Sequence, residues 1–201
     1  MEKKYLDASI KKYLDDLSAK LPTPGGGSAA ALVSAAGVSC LLMVANFTVD
    51  KKGYEQYQEE LKNLLKQLTT SHLLLTALID EDVNVYTTLS SAYKTKDGKK
   101  IQNALKNAIS VPCKILEISI ETIPLAGQLS KIGNKNLISD VACGVSFLRA
   151  GIESAKFNID INLKFVDAAG FVKKTKTKYQ KMLKIASGNI KKIIKDAAER
   201  L

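Results

Sequence analysis

Residues 28–49 read as one helix that is apolar on every side. Small residues pack through it (Ala29, Ala30, Ala31, Ala35, Ala36, Gly37 and Ala45), and Ser34, Ser39 and Asn46 interrupt it. A helix apolar all round has to be surrounded, either by other helices or by lipid. Its length fits a bilayer, and small residues four apart, such as Ala30/Ser34 and Ala35/Ser39, suit membrane packing. Two observations favour burial in a water-soluble bundle. The stretch is closed by the polar break Asp50-Lys51-Lys52-Gly53, and the flanking segments carry the one-sided apolar stripes that a bundle needs around a central helix.

The segment that feeds this helix, Leu21-Pro22-Thr23-Pro24-Gly25-Gly26-Gly27-Ser28, is the least ordinary part of the chain. Prolines restrict the entering backbone, the glycines permit positive φ and close approach, and Ser28 is placed to cap the helix. Bare amides at such an end carry partial positive charge and attract a carboxylate, phosphate or polarised carbonyl. A tight connection accounts for the same residues without any ligand. No Lys follows the glycines, so the phosphate loop of nucleotide enzymes is not indicated.

Elsewhere the pattern is helix after helix. Leu6, Ile10, Tyr13, Leu14 and Leu17 mark a first amphipathic helix with a packing role. A long third helix, about 54–93, carries a seam of Leu61, Leu65, Leu68, His72, Leu75, Ile79, Asp82, Tyr86, Leu89 and Tyr93. Asp82 therefore falls where an apolar residue is expected. A carboxylate there is either a satisfied structural group or a functional one, and burial would raise its pKa toward neutrality. His72 reads as a core residue. A polar turn spans 94–100, Pro112 and Pro124 read as a helix start or bends, and Gly133-Asn134-Lys135-Asn136 is a further break. Another helix follows over about 137–166, with Asp140 in its first turn and Asn158 and Asn162 neighbours on one face. The last helix, about 170–201, packs Tyr179, Leu183, Ala186, Ile190, Ile193 and Ala197 and turns its lysines to water.

Composition narrows the function classes. Cys40, Cys113 and Cys143 are odd in number, far apart and in apolar surroundings, the pattern of reduced thiols in a cytoplasmic protein. The single histidine leaves no zinc set, so no metal is expected. The N-terminus lacks the apolar core of an export signal. A formal charge of +10 reads as a solvated basic surface rather than a nucleic-acid interface: there are only two arginines and no RNP-like or helix-turn-helix pattern.

Five blocks in order carry a resemblance: Pro22 to Ala30, Met43 to Thr48, Ile79 to Asp82, Asn136 to Asp140 and Asn158 to Leu163. Together they resemble the formiminotetrahydrofolate cyclodeaminase/methenyltetrahydrofolate cyclohydrolase family over most of the chain. The resemblance implies an all-α, single-domain helical bundle over 1–201 with a central buried Ala-rich helix, no formiminotransferase domain and a homodimeric assembly. It implies a folate pocket that includes the Gly-rich turn, with Asp82 as proton acceptor. Substrate contacts are expected from Gly25, Gly26, Gly27 and Ser28, with Asp140, Asn158 and Asn162 as further candidates. No cofactor beyond the tetrahydrofolate substrate is implied, and neither nucleic acid nor membrane is an expected partner. The lysine-rich 94–100 segment departs from the more proline-containing stretch of that family.

Overall fold

The computed structural model describes residues 4–201; the first three residues of the N-terminal segment read for export signals, and of the expected 1–201 domain, lie outside it. Six α-helices make one bundle: α1 (Ile10–Ser18), α2 (Gly26–Asn46), α3 (Gln58–Thr95), α4 (Gly98–Ile132), α5 (Ile138–Leu163) and α6 (Ala169–Ala198), with short 3₁₀ turns at Tyr5–Asp7, Glu55–Tyr57 and Lys135–Leu137. No strand occurs among the described residues, as the all-α expectation requires.

α2 packs on α3, α4 and α5, and α6 lies along the α4 and α5 edge. Small residues set the closest approach. A Cβ on Gly37 of α2 would sit 2.8 Å from the carbonyl oxygen of Gly144 on α5, and one on Gly144 would sit 2.8 Å from that of Gly37. The two backbones are thus in direct contact, which only glycine at both positions allows. Ser34 and Ser119, both fully buried, share a 3.0 Å hydrogen bond between α2 and α4. At its far end α2 is tied down by buried Thr48, which donates to the Val44 carbonyl at 2.6 Å and accepts from the Asn134 amide at 2.9 Å.

α2 is not enclosed on every side as expected. It has the length and composition of a membrane span, yet just over half of its most apolar stretch is buried in this chain. Ala36, Ser39 and Met43 remain exposed in a helix that carries no charge, as does Phe47 just past its end.

The long elements also differ from the pattern reading. Pro112 and Pro124 both lie inside an unbroken α4. Each removes a backbone donor, but α4 runs between α3, α5 and α6, and packing of this kind outweighs local propensity. The polar turn at 94–100 shrinks to two residues: Lys96 adopts the left-handed conformation (φ 56°), and the Asp97 carboxylate caps α4 by accepting from the Lys99 and Lys100 amides. On α3 the buried face is Leu61, Leu64, Leu68, Leu75, Leu78, Ile79, Val83 and Leu89. Asp82 flanks that face, Tyr86 and Tyr93 are exposed, and His72 is half-buried rather than in the core.

A carboxylate seated on a helix end

α2 begins at Gly26, two residues before Ser28, and its N-cap, Gly25, has no side chain to offer the free amides. The missing cap comes from another helix. Asp82 of α3 places Oδ2 2.8 Å from the backbone nitrogen of Ser28, the third residue of α2, and accepts its hydrogen bond. That is the amide an N-cap side chain ordinarily satisfies. Ser28 is therefore not the cap. Its side chain is fully buried and accepts a hydrogen bond from the Tyr13 hydroxyl at 3.1 Å.

The glycines serve proximity rather than positive φ. Among the described glycines only Gly53 has a positive φ. Gly25 is extended, with nothing near a Cβ placed on it. A Cβ on Gly27, by contrast, would overlap the Asp82 carboxylate, with Cγ only 2.6 Å away. Gly27 is thus the floor on which that carboxylate rests. On Gly26 a Cβ would make an ordinary contact with the Asn158 amide, 3.5 Å away.

These residues open into a cleft of about 230 Å³. One wall is the Pro22 to Gly27 turn, a second is α3 through Asp82, Val85, Tyr86 and Leu89, and a third is α5 through Asn158, Ile161 and Asn162. Asn158 spends its NH₂ on the Ser154 carbonyl at 2.9 Å, which leaves its oxygen free to accept from a ligand. Asp82 is the only carboxylate lining the cleft among the described residues. Burial pushes its pKa up to about 6, and the Ser28 amide pulls partly the other way by favouring the anion. Such a group is divided between acid and base near neutrality and is able to take a proton and return it.

The N-terminal segment, read as packing alone, fastens this corner. The Tyr5 amide donates to Asp80 Oδ1 at 2.7 Å, and the Tyr5 hydroxyl donates to Asp16 at 3.0 Å. Tyr5 and Tyr13 meet edge to face, 5.3 Å between ring centres. Burial raises the Tyr13 pKa, so its phenol stays protonated and remains a donor to Ser28.

Of the residues singled out in the sequence, Gly25, Gly26, Gly27, Asp82, Asn158 and Asn162 line one cleft. Ser28 contributes its amide from behind. Asp140 does not join them. It lies in the first turn of α5, five turns from Asn158 and roughly 27 Å along the axis at 1.5 Å per residue. Its placement at the opposite end of the helix gives it no part in the cleft of its own chain. His72 is also remote, roughly 15 Å along α3 from Asp82. Tyr86, which the pattern assigned to the packed seam, is instead 45% exposed and forms part of the cleft wall. Its position four residues after Asp82 was the available signal, since that spacing puts both on one side of a helix.

The fold and the cleft define an all-helical bundle in which a single carboxylate, its pKa raised toward neutrality, stands among otherwise uncharged lining groups of the described residues. The family is fixed by comparison: residues 9–181 match the formiminotransferase-cyclodeaminase family model, and the chain belongs to that family. It is 36% identical over 172 residues to a methenyltetrahydrofolate cyclohydrolase of Methylorubrum extorquens, covering 81% of this chain and 83% of that protein. It is 28% identical over 194 residues to the formimidoyltransferase-cyclodeaminase of Rattus norvegicus, covering 92% of this chain but only 36% of that longer protein. The crystal structure of formiminotetrahydrofolate cyclodeaminase from Thermotoga maritima superimposes with a TM-score of 0.86 at 29% identity, over 98% of each chain.

Proposed function

We propose that the protein acts on the one-carbon unit held between N5 and N10 of tetrahydrofolate, forming 5,10-methenyltetrahydrofolate from the 5-formimino derivative or opening the methenyl compound to 10-formyltetrahydrofolate. The observation that carries this reading is Asp82, half-buried, held by the Ser28 amide and facing a cleft of otherwise neutral groups. In cyclodeamination N10 attacks the carbon of the protonated formimino group, Asp82 accepts the N10 proton, and that proton passes to the resulting amino nitrogen as its bond to carbon breaks and ammonia leaves. In cyclohydrolysis a water adds to the methenyl carbon and gives one proton to Asp82; the C–N5 bond then opens as N5 takes that proton, and the hydroxyl left on carbon releases its own proton to solvent as it becomes the formyl carbonyl. Both routes pass through a tetrahedral carbon with the same carboxylate shuttling one proton. Neither changes the oxidation level of the carbon, and the proposal includes no cofactor beyond the folate.

Tyr86 supplies an aromatic face for the flat pterin, and the oxygens of Asn158 and Asn162 accept from its polar edge. Lysines outside the cleft draw in the glutamate tail. A second copy of the chain covers the uncharged strip of α2 with exposed Cys143 and Phe147 of α5, giving a homodimer; apolar residues at that strip support the reading. Three unpaired cysteines favour a cytoplasmic location. The test is spectroscopic: purified protein is given 5-formiminotetrahydrofolate and, separately, 5,10-methenyltetrahydrofolate, and the methenyl absorbance is followed. Appearance in the first or accelerated loss in the second is expected, and no change in either overturns the proposal.

A further inference from the structure

A second cavity, of about 300 Å³, lies between α4 and α6 and is separate from the folate cleft. The two helices run parallel here, since Lys106 meets Phe171 and Glu117 meets Lys178 further along both. Those two contacts close the ends. The Lys106 ammonium sits 6.0 Å over the Phe171 ring, and roughly 16 Å along α4 the Lys178 ammonium pairs with Glu117 at 2.7 Å. A slot bridged at both ends admits a small molecule and excludes a partner helix, which needs an open groove.

Its floor is apolar and sealed: Ile109, Leu116 and Ile159 are each at most 1% exposed. Its rim is cationic. Three lysines stand against one carboxylate; Lys178 is committed to Glu117, while Lys106 and Lys174 have no carboxylate partner among the described residues. Cys113, in the middle, is half-buried, and burial pushes its thiol up to about 11, so it presents a neutral, soft surface rather than a thiolate. The size lies at the lower bound of the roughly 300–1,000 Å³ usual for ligand pockets.

We propose that this slot binds a small organic carboxylate with an apolar body, the acid group at Lys106 and Lys174 and the body over Ile109, Cys113 and Ile159. The α4 and α5 backbones lie between the two sites: Ala108 and Asn158 line the folate cleft, and their chain neighbours Ile109 and Ile159 line the slot. The proposal therefore stands independently of the folate chemistry.

Cys113 supplies the readout. The full chain is treated with N-ethylmaleimide, and the alkylation rate of Cys113 is measured by peptide mass spectrometry, with added N-acetylcysteine as the reference thiol. Millimolar octanoate or benzoate is expected to slow Cys113 at least about five-fold while N-acetylcysteine is unchanged, and Lys106→Gln/Lys174→Gln to weaken that protection roughly ten-fold, the scale of a lost charge-assisted contact. Folate turnover at saturating substrate should be unaffected by the double variant. Where alkylation of Cys113 is too slow to time, Phe171→Trp emission titrated with octanoate gives the same comparison. Absence of saturable carboxylate binding by either readout overturns the proposal. So does equal protection by neutral octanamide, which would make the slot a purely apolar one, or protection by tetrahydrofolate, which would make it part of the folate site.

Discussion

Gly27 and Gly37 lie ten residues apart on the same helix, and neither has room for a Cβ, but the obstacle differs. At Gly37 it is the backbone of α5, the Gly144 carbonyl 2.8 Å away. At Gly27 it is a side chain, the Asp82 carboxylate. A backbone in a close-packed bundle cannot move aside without opening the interface, whereas a carboxylate can rotate and give up its hydrogen bond to Ser28. The first glycine secures the fold and the second secures a chemical group. One helix thus carries a packing surface along its middle and one wall of a cleft at its start.

The largest expected separation between the two regions is at Asp82. Asp82→Asn keeps an oxygen for the Ser28 amide but removes the base, and turnover should fall about 10²-fold or more while folate affinity changes little. Stability should not fall with it. The folded state holds the Asp82 proton at about 6 against an ordinary 3.8, so the wild type loses stability as pH rises from about 4 through 6, by at most about 3 kcal/mol. The variant lacks that loss, and its thermal midpoint at pH 7.5 should equal or exceed that of the wild type. A much lower midpoint would make Asp82 a structural cap and nothing more.

Gly27→Ala comes next. The Cβ displaces the carboxylate, and a shift of about 1 Å at a catalytic group costs up to roughly 10²-fold in turnover, with the protein still folded by circular dichroism. Gly188→Ala, in open space on α6 away from the cleft, is the control and should act like wild type. Gly37→Ala reverses the pattern: it should cost about 1–3 kcal/mol in denaturant unfolding and leave the turnover of the folded fraction intact. Equal behaviour of Gly27→Ala and Gly37→Ala would erase the distinction. The smallest effect belongs to Tyr86→Ala, expected to raise KM several-fold with kcat nearly unchanged, as loss of about 1 kcal/mol of ring contact implies; Tyr86→Phe should restore it.

Much of this was legible in the chain because it follows from periodicity and composition. The all-round apolar run gave α2, and the out-of-place carboxylate pointed to Asp82. What sequence could not supply was the partner of each group. Nothing local to Gly25-Gly26-Gly27-Ser28 says that the cap comes from a residue 54 positions later, so Ser28 was the natural candidate. Pro112 and Pro124 read as a helix start or bends because propensity is local, while their helix is held by neighbours distant in sequence. Asp140 shared a helix with Asn158, but only the length of α5 separates their surroundings. Tyr86 fitted a four-residue seam whose true buried line runs one residue aside through Val83.

The central claim is that Asp82 carries the proton from the attacking group to the departing nitrogen. The most direct measurement is kcat/KM for the folate substrate between pH 5 and 8, for wild type and Asp82→Asn side by side. A base that must be ionised gives a rate that rises with pH and levels off above a pKa of about 6, and the residual activity of Asp82→Asn should lack that rise. The same rise in both proteins, or a flat wild-type profile over that range, would contradict the assignment.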